Sequence, residues 1–182
     1  YELFRFKKES INHIHFISFI ILELSYFLTA IYFVNQFVIV NFNNLILVVI
    51  GISLFINVLL NLLINIISPN KVKAHLSVVT LYMLNVFLCS SLLAVFFYSN
   101  IFIGELPYLI FAIIFTFISL IQIVIILNPK LSNWAKLENV KNEDGTTSLI
   151  RPKLFVLSFS EWLTYFLFNL MIIVLLITMF VL

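Results

Sequence analysis

Charge is scarce in this chain. Only 10% of its 182 residues are Asp, Glu, Lys or Arg, against about 25% in a water-soluble domain. With 63% of the residues hydrophobic, a soluble fold of this size has too few polar side chains to cover its surface. An ordinary globular domain is thereby excluded, and lipid is the solvent that accepts the composition. Cysteine occurs once, as Cys89, which excludes an intrachain disulfide and any multi-cysteine metal site. Inside an apolar run it reads as a small packing residue.

Other absences narrow the function. Asp144 is the only aspartate, and the chain has no HExxH helix, GxSxG elbow, phosphate-cradling glycine loop or Cys-x-x-Cys pair. A nucleophile with its base and a carboxylate-ringed metal are both missing, so no enzymatic activity and no cofactor are expected. Glycine occurs three times and only Gly51 falls within a long apolar run. That argues against a stand-alone transporter built on broken, glycine-rich helices, and against close GxxxG contacts. The net charge of +2, with no basic stripe, is too small to argue for nucleic acid, and no such partner is expected.

What is present is a succession of long apolar runs. A helix needs about 20 apolar residues to cross roughly 30 Å of hydrocarbon, and five stretches qualify: residues 11–40, 45–67, 78–98, 108–127 and 154–182. The expected fold is all-α, a single transmembrane domain over residues 1–182 forming a polytopic helical bundle in a lipid bilayer. The first and last runs exceed the minimum and are expected to tilt or protrude. Pro69, Pro107, Pro129 and Pro152 are all expected at or outside span ends, where a missing N–H costs little. Residue 1 is Tyr, so the numbering is expected to begin inside a longer protein. Residues 1–10 lack the pattern of a signal peptide, and the first apolar run reads as a true span.

Basic residues set the expected orientation, because Lys and Arg near span ends stay on the cytoplasmic side during insertion. Arg5, Lys7 and Lys8 precede the first run, Lys71 and Lys73 separate the second from the third, and Lys130, Lys136, Lys141, Arg151 and Lys153 separate the fourth from the fifth; these are all ten basic residues. Five spans place them on one face, with the N-terminus cytoplasmic and the C-terminus opposite. A bacterial cytoplasmic (inner) membrane is the expected location. The mitochondrial inner membrane is the alternative, since heavy use of Phe, Ile and Asn accompanies AT-rich genomes. The long connection, residues 128–153, is expected to be cytoplasmic. It carries a hairpin signal in residues 141–147, where Asp144-Gly145 suits a tight turn and Leu137, Val140, Leu149 and Ile150 offer an apolar side.

Polar groups inside apolar runs need a reason, since a mid-membrane charge costs at least about 2.5–3.5 kcal/mol. Glu23 lies about twelve residues into the first run with no basic residue in any span to pair with it. It is expected to be protonated, bonded to a neighbouring helix, or facing a partner subunit. On a helical wheel His15, Ser18, Ser25, Tyr26, Thr29 and Gln36 share a face with Glu23 at its edge, and that face is expected to point into protein. Ser53, Asn57, Asn61 and Asn65 recur every four residues along the second run, as Glu161, Tyr165 and Asn169 do along the fifth. Such stripes make interhelical seams, at about 0.6 kcal/mol per hydrogen bond, or a polar path. Glu161 is expected near the cytoplasmic interface with Trp162 in the aromatic belt. His15 and His75 are the only metal candidates, weak ones, because His13 and His15 point to different sides of their helix.

Three functions fit these features. The leading expectation is a non-enzymatic accessory or scaffolding subunit of a larger membrane complex, since the stripes exceed what one bundle obviously satisfies. The first alternative is an ion- or proton-conducting component using Glu23 and the Asn57, Asn61 and Asn65 stripe. The second is a membrane immunity protein that binds a toxin.

Overall fold

A computed structural model describes residues 9–39, 44–67, 72–128, 138–142, 145–150 and 156–181. Five of its helices are long and apolar enough to cross a membrane. Helix α1 spans Glu9–Phe33 and widens into a π-helical segment, Val34–Val38; α2 spans Leu45–Ile66, α3 Val72–Ser99, α4 Ile101–Ile126 and α5 Val156–Val181. At 1.5 Å per residue the 22 residues of α2 reach about 33 Å, enough for the hydrocarbon layer. Asn44 starts that helix, its side-chain oxygen accepting the Ile46 N–H at 3.1 Å, so one of the four orphan donors of the first turn is satisfied.

Two boundaries differ from the sequence reading. Helix α3 begins at Val72, not near residue 78, because the polar turn through His75 still has helical propensity and its histidine finds partners. Helix α4 begins at Ile101 and contains Pro107, which is therefore inside a helix and not at its edge. The apolar part of α4 begins at Leu106. Pro107 thus marks where the hydrocarbon-length segment starts, while the helix extends further back. Only the one bond its nitrogen would donate to the carbonyl four residues back is forgone.

Neighbouring helices run antiparallel. Glu23 meets Asn61 while Val34 and Val38 meet Gly51, and Ser53 meets Asn85 while the Ile67 carbonyl meets His75. Likewise Ser91 meets Ser119 while Gln122 meets Met83. Helix α5 runs parallel to α3, since His75 faces Glu161 and Tyr82 faces Phe168. It packs on α1, α3 and α4 and closes the bundle. Ile67, Val72, Ile126 and Val156, the helix ends that border the basic segments, therefore fall at one end.

Glycine matters at two places. A Cβ on Gly51 would stand 3.0 Å from Val34 Cγ2 and 3.3 Å from Val38 Cγ2, so α2 approaches α1 where the π segment widens it. Gly145 adopts φ 80°, a left-handed conformation that non-glycine residues rarely take. It lies between antiparallel strands β1 (Glu138–Lys141) and β2 (Thr147–Ile150), in which Val140 pairs with Ser148. Asn142 N–H donates to the Thr146 carbonyl at 2.8 Å and closes this hairpin. Asp144, the other turn residue of the sequence reading, lies outside the described residues.

Candidate functional site

The bundle interior is polar at its middle and aromatic toward the end away from the basic segments. In the aromatic half Phe97 stacks on Phe115 with centroids 5.5 Å apart, and Tyr108 and Phe111 pack around it. In the middle, Asn61 Nδ2 donates to Glu23 Oε1 at 2.6 Å, joining α2 to α1. The Tyr26 hydroxyl donates to Asn169 Oδ1, joining α1 to α5. Asn169 Nδ2 is anchored on the Tyr165 carbonyl at 2.7 Å, and the Tyr165 phenol neighbours that of Tyr26. Phe168 lies between two tyrosines, its ring centroid 5.1 Å from Tyr26 and 5.7 Å from Tyr82.

Helix register places further groups on this level. Ser53 Oγ and Asn85 Oδ1 lie 3.1 Å apart, and Asn85 Nδ2 donates to the Ser53 carbonyl at 2.8 Å. One turn along antiparallel α2 and α3 from that pair brings Asn57 level with Tyr82, the buried member of the Leu81–Tyr82 step. One turn along α1 from Glu23 brings Tyr26 to the same level. Asn57 is fully buried, with neither its amide nitrogen nor its oxygen hydrogen-bonded, and Glu23 Oε2 and the Tyr82 hydroxyl are likewise buried and unpaired. Most buried polar atoms in proteins have partners, so this concentration within about one helical turn is the unusual feature of the molecule.

A second polar knot lies on the α4 side, where Gln122 Nε2 donates to Thr164 Oγ1 at 3.0 Å and to the Met83 carbonyl at 3.2 Å. A third lies at the end of the bundle that carries the basic segments. There His75 Nδ1 is 3.2 Å from the Ile67 carbonyl and Nε2 is 3.5 Å from Glu161 Oε1. The carbonyl can only accept, so Nδ1 carries a proton.

The structure pairs Glu23 with Asn61 and Asn169 with Tyr26 and the Tyr165 carbonyl, leaves Asn57 buried with its amide unpaired, and places Glu161 with His75. Asn65 is exposed, with its Nδ2 donating to the Asn61 carbonyl at 2.8 Å. The wheel of α1 needs correction. Ser18, Ser25 and Gln36 are exposed, and the face that enters the bundle runs through Glu23, Tyr26, Thr29, Ala30 and Phe33. Ser25 tolerates the outside because its hydroxyl donates to the Ile21 carbonyl at 2.8 Å within its own helix. Sequence reasoning gave no part to Tyr82, Asn85 and Gln122. The usable signal was present for the two amides, which stand alone in apolar runs and must find partners.

Of the stripe residues, Ser53, Asn61, Glu161 and Asn169 bond to other helices of this chain, Asn57 is buried unpaired and Asn65 is exposed. His15 lies where no side chain is described. Among the described residues, no group of three His, Cys, Asp or Glu is arranged to hold a metal, and Cys89 is buried and free. Trp162 is exposed beside half-buried Glu161, as an interfacial aromatic is. Compared with family profiles, curated proteins and solved structures, the chain matches none.

Proposed function

We propose that this chain is a non-enzymatic multi-pass membrane protein that conducts protons, with Glu23 as the buried acceptor. One observation carries the reading: Glu23 sits in the bundle with one carboxyl oxygen on Asn61 and the other unpaired. A carboxylate there needs a proton or a counter-cation, because an isolated charge at that depth is too costly to persist. The polar side chains of α5 lead toward it. Glu161, Tyr165 and Asn169 rise at one-turn intervals from the His75 end, and Asn169 is bonded to Tyr26, one turn from Glu23.

The test uses proteoliposomes with a trapped pH-sensitive dye and an imposed proton gradient. The parent protein is expected to dissipate the gradient faster than empty vesicles, and Glu23→Gln, which keeps the shape and the Asn61 contact, is expected to remove most of that excess. A parent rate equal to that of empty vesicles, or an unchanged rate in the variant, overturns the reading. Purification as a fixed stoichiometric complex with another membrane protein would instead return weight to the accessory-subunit expectation.

The proposed orientation places the basic segments in the cytoplasm, the N-terminus on that side and the C-terminus opposite, in a bacterial inner membrane. The positive-inside rule supports it, since the helix ends bordering those segments share one end of the bundle. A cysteine introduced at exposed Thr146 in a Cys89→Ala background is expected to react with an impermeant maleimide in inverted vesicles and not in intact cells. The opposite pattern reverses the topology.

A further inference from the structure

We propose that Glu23, Asn57 and Tyr82 bind one sodium ion at the middle of the bundle. The proposal deepens the reading of Glu23 given above and rests on it. Its first support is donor chemistry. Glu23 Oε2, Asn57 Oδ1 and the Tyr82 hydroxyl are three hard oxygen atoms, all buried and all without a protein partner, on side chains that are 8%, 0% and 1% exposed. Leaving such atoms unmatched is costly, and oxygen ligands of this kind suit hard cations.

The second support is placement. The Ser53–Asn85 pair sets Asn57 level with Tyr82, and the Asn61–Glu23 bond sets Glu23 one turn away. Tyr26, bonded to Asn169, lies one turn along α1 from Glu23, and Tyr82 shares the Phe168 ring with it. The third support is charge. Glu23 is the only carboxylate of this cluster, and α2 and α4 contribute the neutral amides of Asn57, Asn61 and Gln122. A single negative charge balances one positive charge, whereas calcium or magnesium sites ordinarily gather more carboxylates or keep several waters.

Thermal unfolding of the full chain in mild detergent tests the site without any flux measurement. At mildly alkaline pH, sodium chloride is expected to raise the midpoint of the parent saturably by about 5 °C over choline chloride of equal ionic strength, and calcium is expected to add nothing beyond its ionic strength. Glu23→Gln and Tyr82→Phe are each expected to abolish the sodium response. Tyr82→Phe keeps the ring against Phe168, so it carries the test if Glu23→Gln fails to fold. Equal midpoints in sodium and choline, or a full sodium response in Tyr82→Phe, overturn the proposal. Sodium stabilisation without proton flux would preserve the site and remove the conduction reading; flux without sodium stabilisation would do the reverse.

Discussion

Phe168→Ala is expected to destabilise the folded bundle by about 3 kcal/mol, the lower end of the range for Phe→Ala in soluble cores. Phe168 is fully buried and its ring is the edge-to-face neighbour of both Tyr26 and Tyr82. Such ring pairs add about 0.5–1.5 kcal/mol each beyond area. The lower end applies because lipid tails are as apolar as the ring, so moving it out of the bundle gains little from transfer alone. What is lost is dispersion contact and the close packing that holds α1 and α3 against α5. Reversible unfolding in mixed detergent micelles measures this directly. Phe166, on the outer face of the same helix at 61% exposure, is the control: Phe166→Ala is expected to change stability by less than about 0.5 kcal/mol. Equal effects at the two positions would mean that α5 is rotated relative to the description above.

The contrast between Phe168 and Phe166 also marks the limit of what the sequence could say. The number of spans was legible because span length answers to a single physical scale, the thickness of the hydrocarbon layer, and no knowledge of neighbours is required. Which face of each helix turns inward was not legible in the same way. In water the inner face is the apolar one; in lipid both faces are apolar, and periodicity of hydrophobicity carries little orientation. The wheel of α1 was therefore judged on its polar residues. Ser18, Ser25 and Gln36 pulled it toward a face that is in fact exposed, while Phe33 and Ala30, buried at 1% each, gave no sign.

On α2 the four-residue spacing of Ser53, Asn57 and Asn61 did identify the inner face, because an Asn amide is harder to satisfy within its own helix than a hydroxyl. Asn65 manages it through the Asn61 carbonyl and stands outside. Tyr82, Asn85 and Gln122 were hidden for a different reason. The partners of the two amides are tens of residues away, and only the helix register brings Asn85 to Ser53, Gln122 to Thr164 and the Tyr82 ring to Phe168. Pro107 stands at the start of the apolar segment, which begins at Leu106, as a proline at a span end does, although the helix extends back to Ile101.

Asn57→Leu is expected to stabilise the protein by about 1–3 kcal/mol in sodium-free buffer while removing its response to sodium. The sign follows from the unpaired amide. Both polar atoms of Asn57 are fully buried without a partner, and each unsatisfied atom in such a place costs about 1–3 kcal/mol. Leu repeats the γ-branched shape with no polar atom, so the penalty disappears, reduced by whatever the bulkier methyl groups cost in packing. A residue retained purely for packing would show the opposite sign, since its replacement would remove favourable contacts and supply none. Stability gained at the expense of ligand response is the signature of a site held in an unfavourable state for function. Unfolding of parent and variant, each with and without sodium, separates the cases. A loss of more than about 1 kcal/mol in Asn57→Leu would show that the amide makes bonds that hold α2 in place, and Asn57 would then belong to the scaffold.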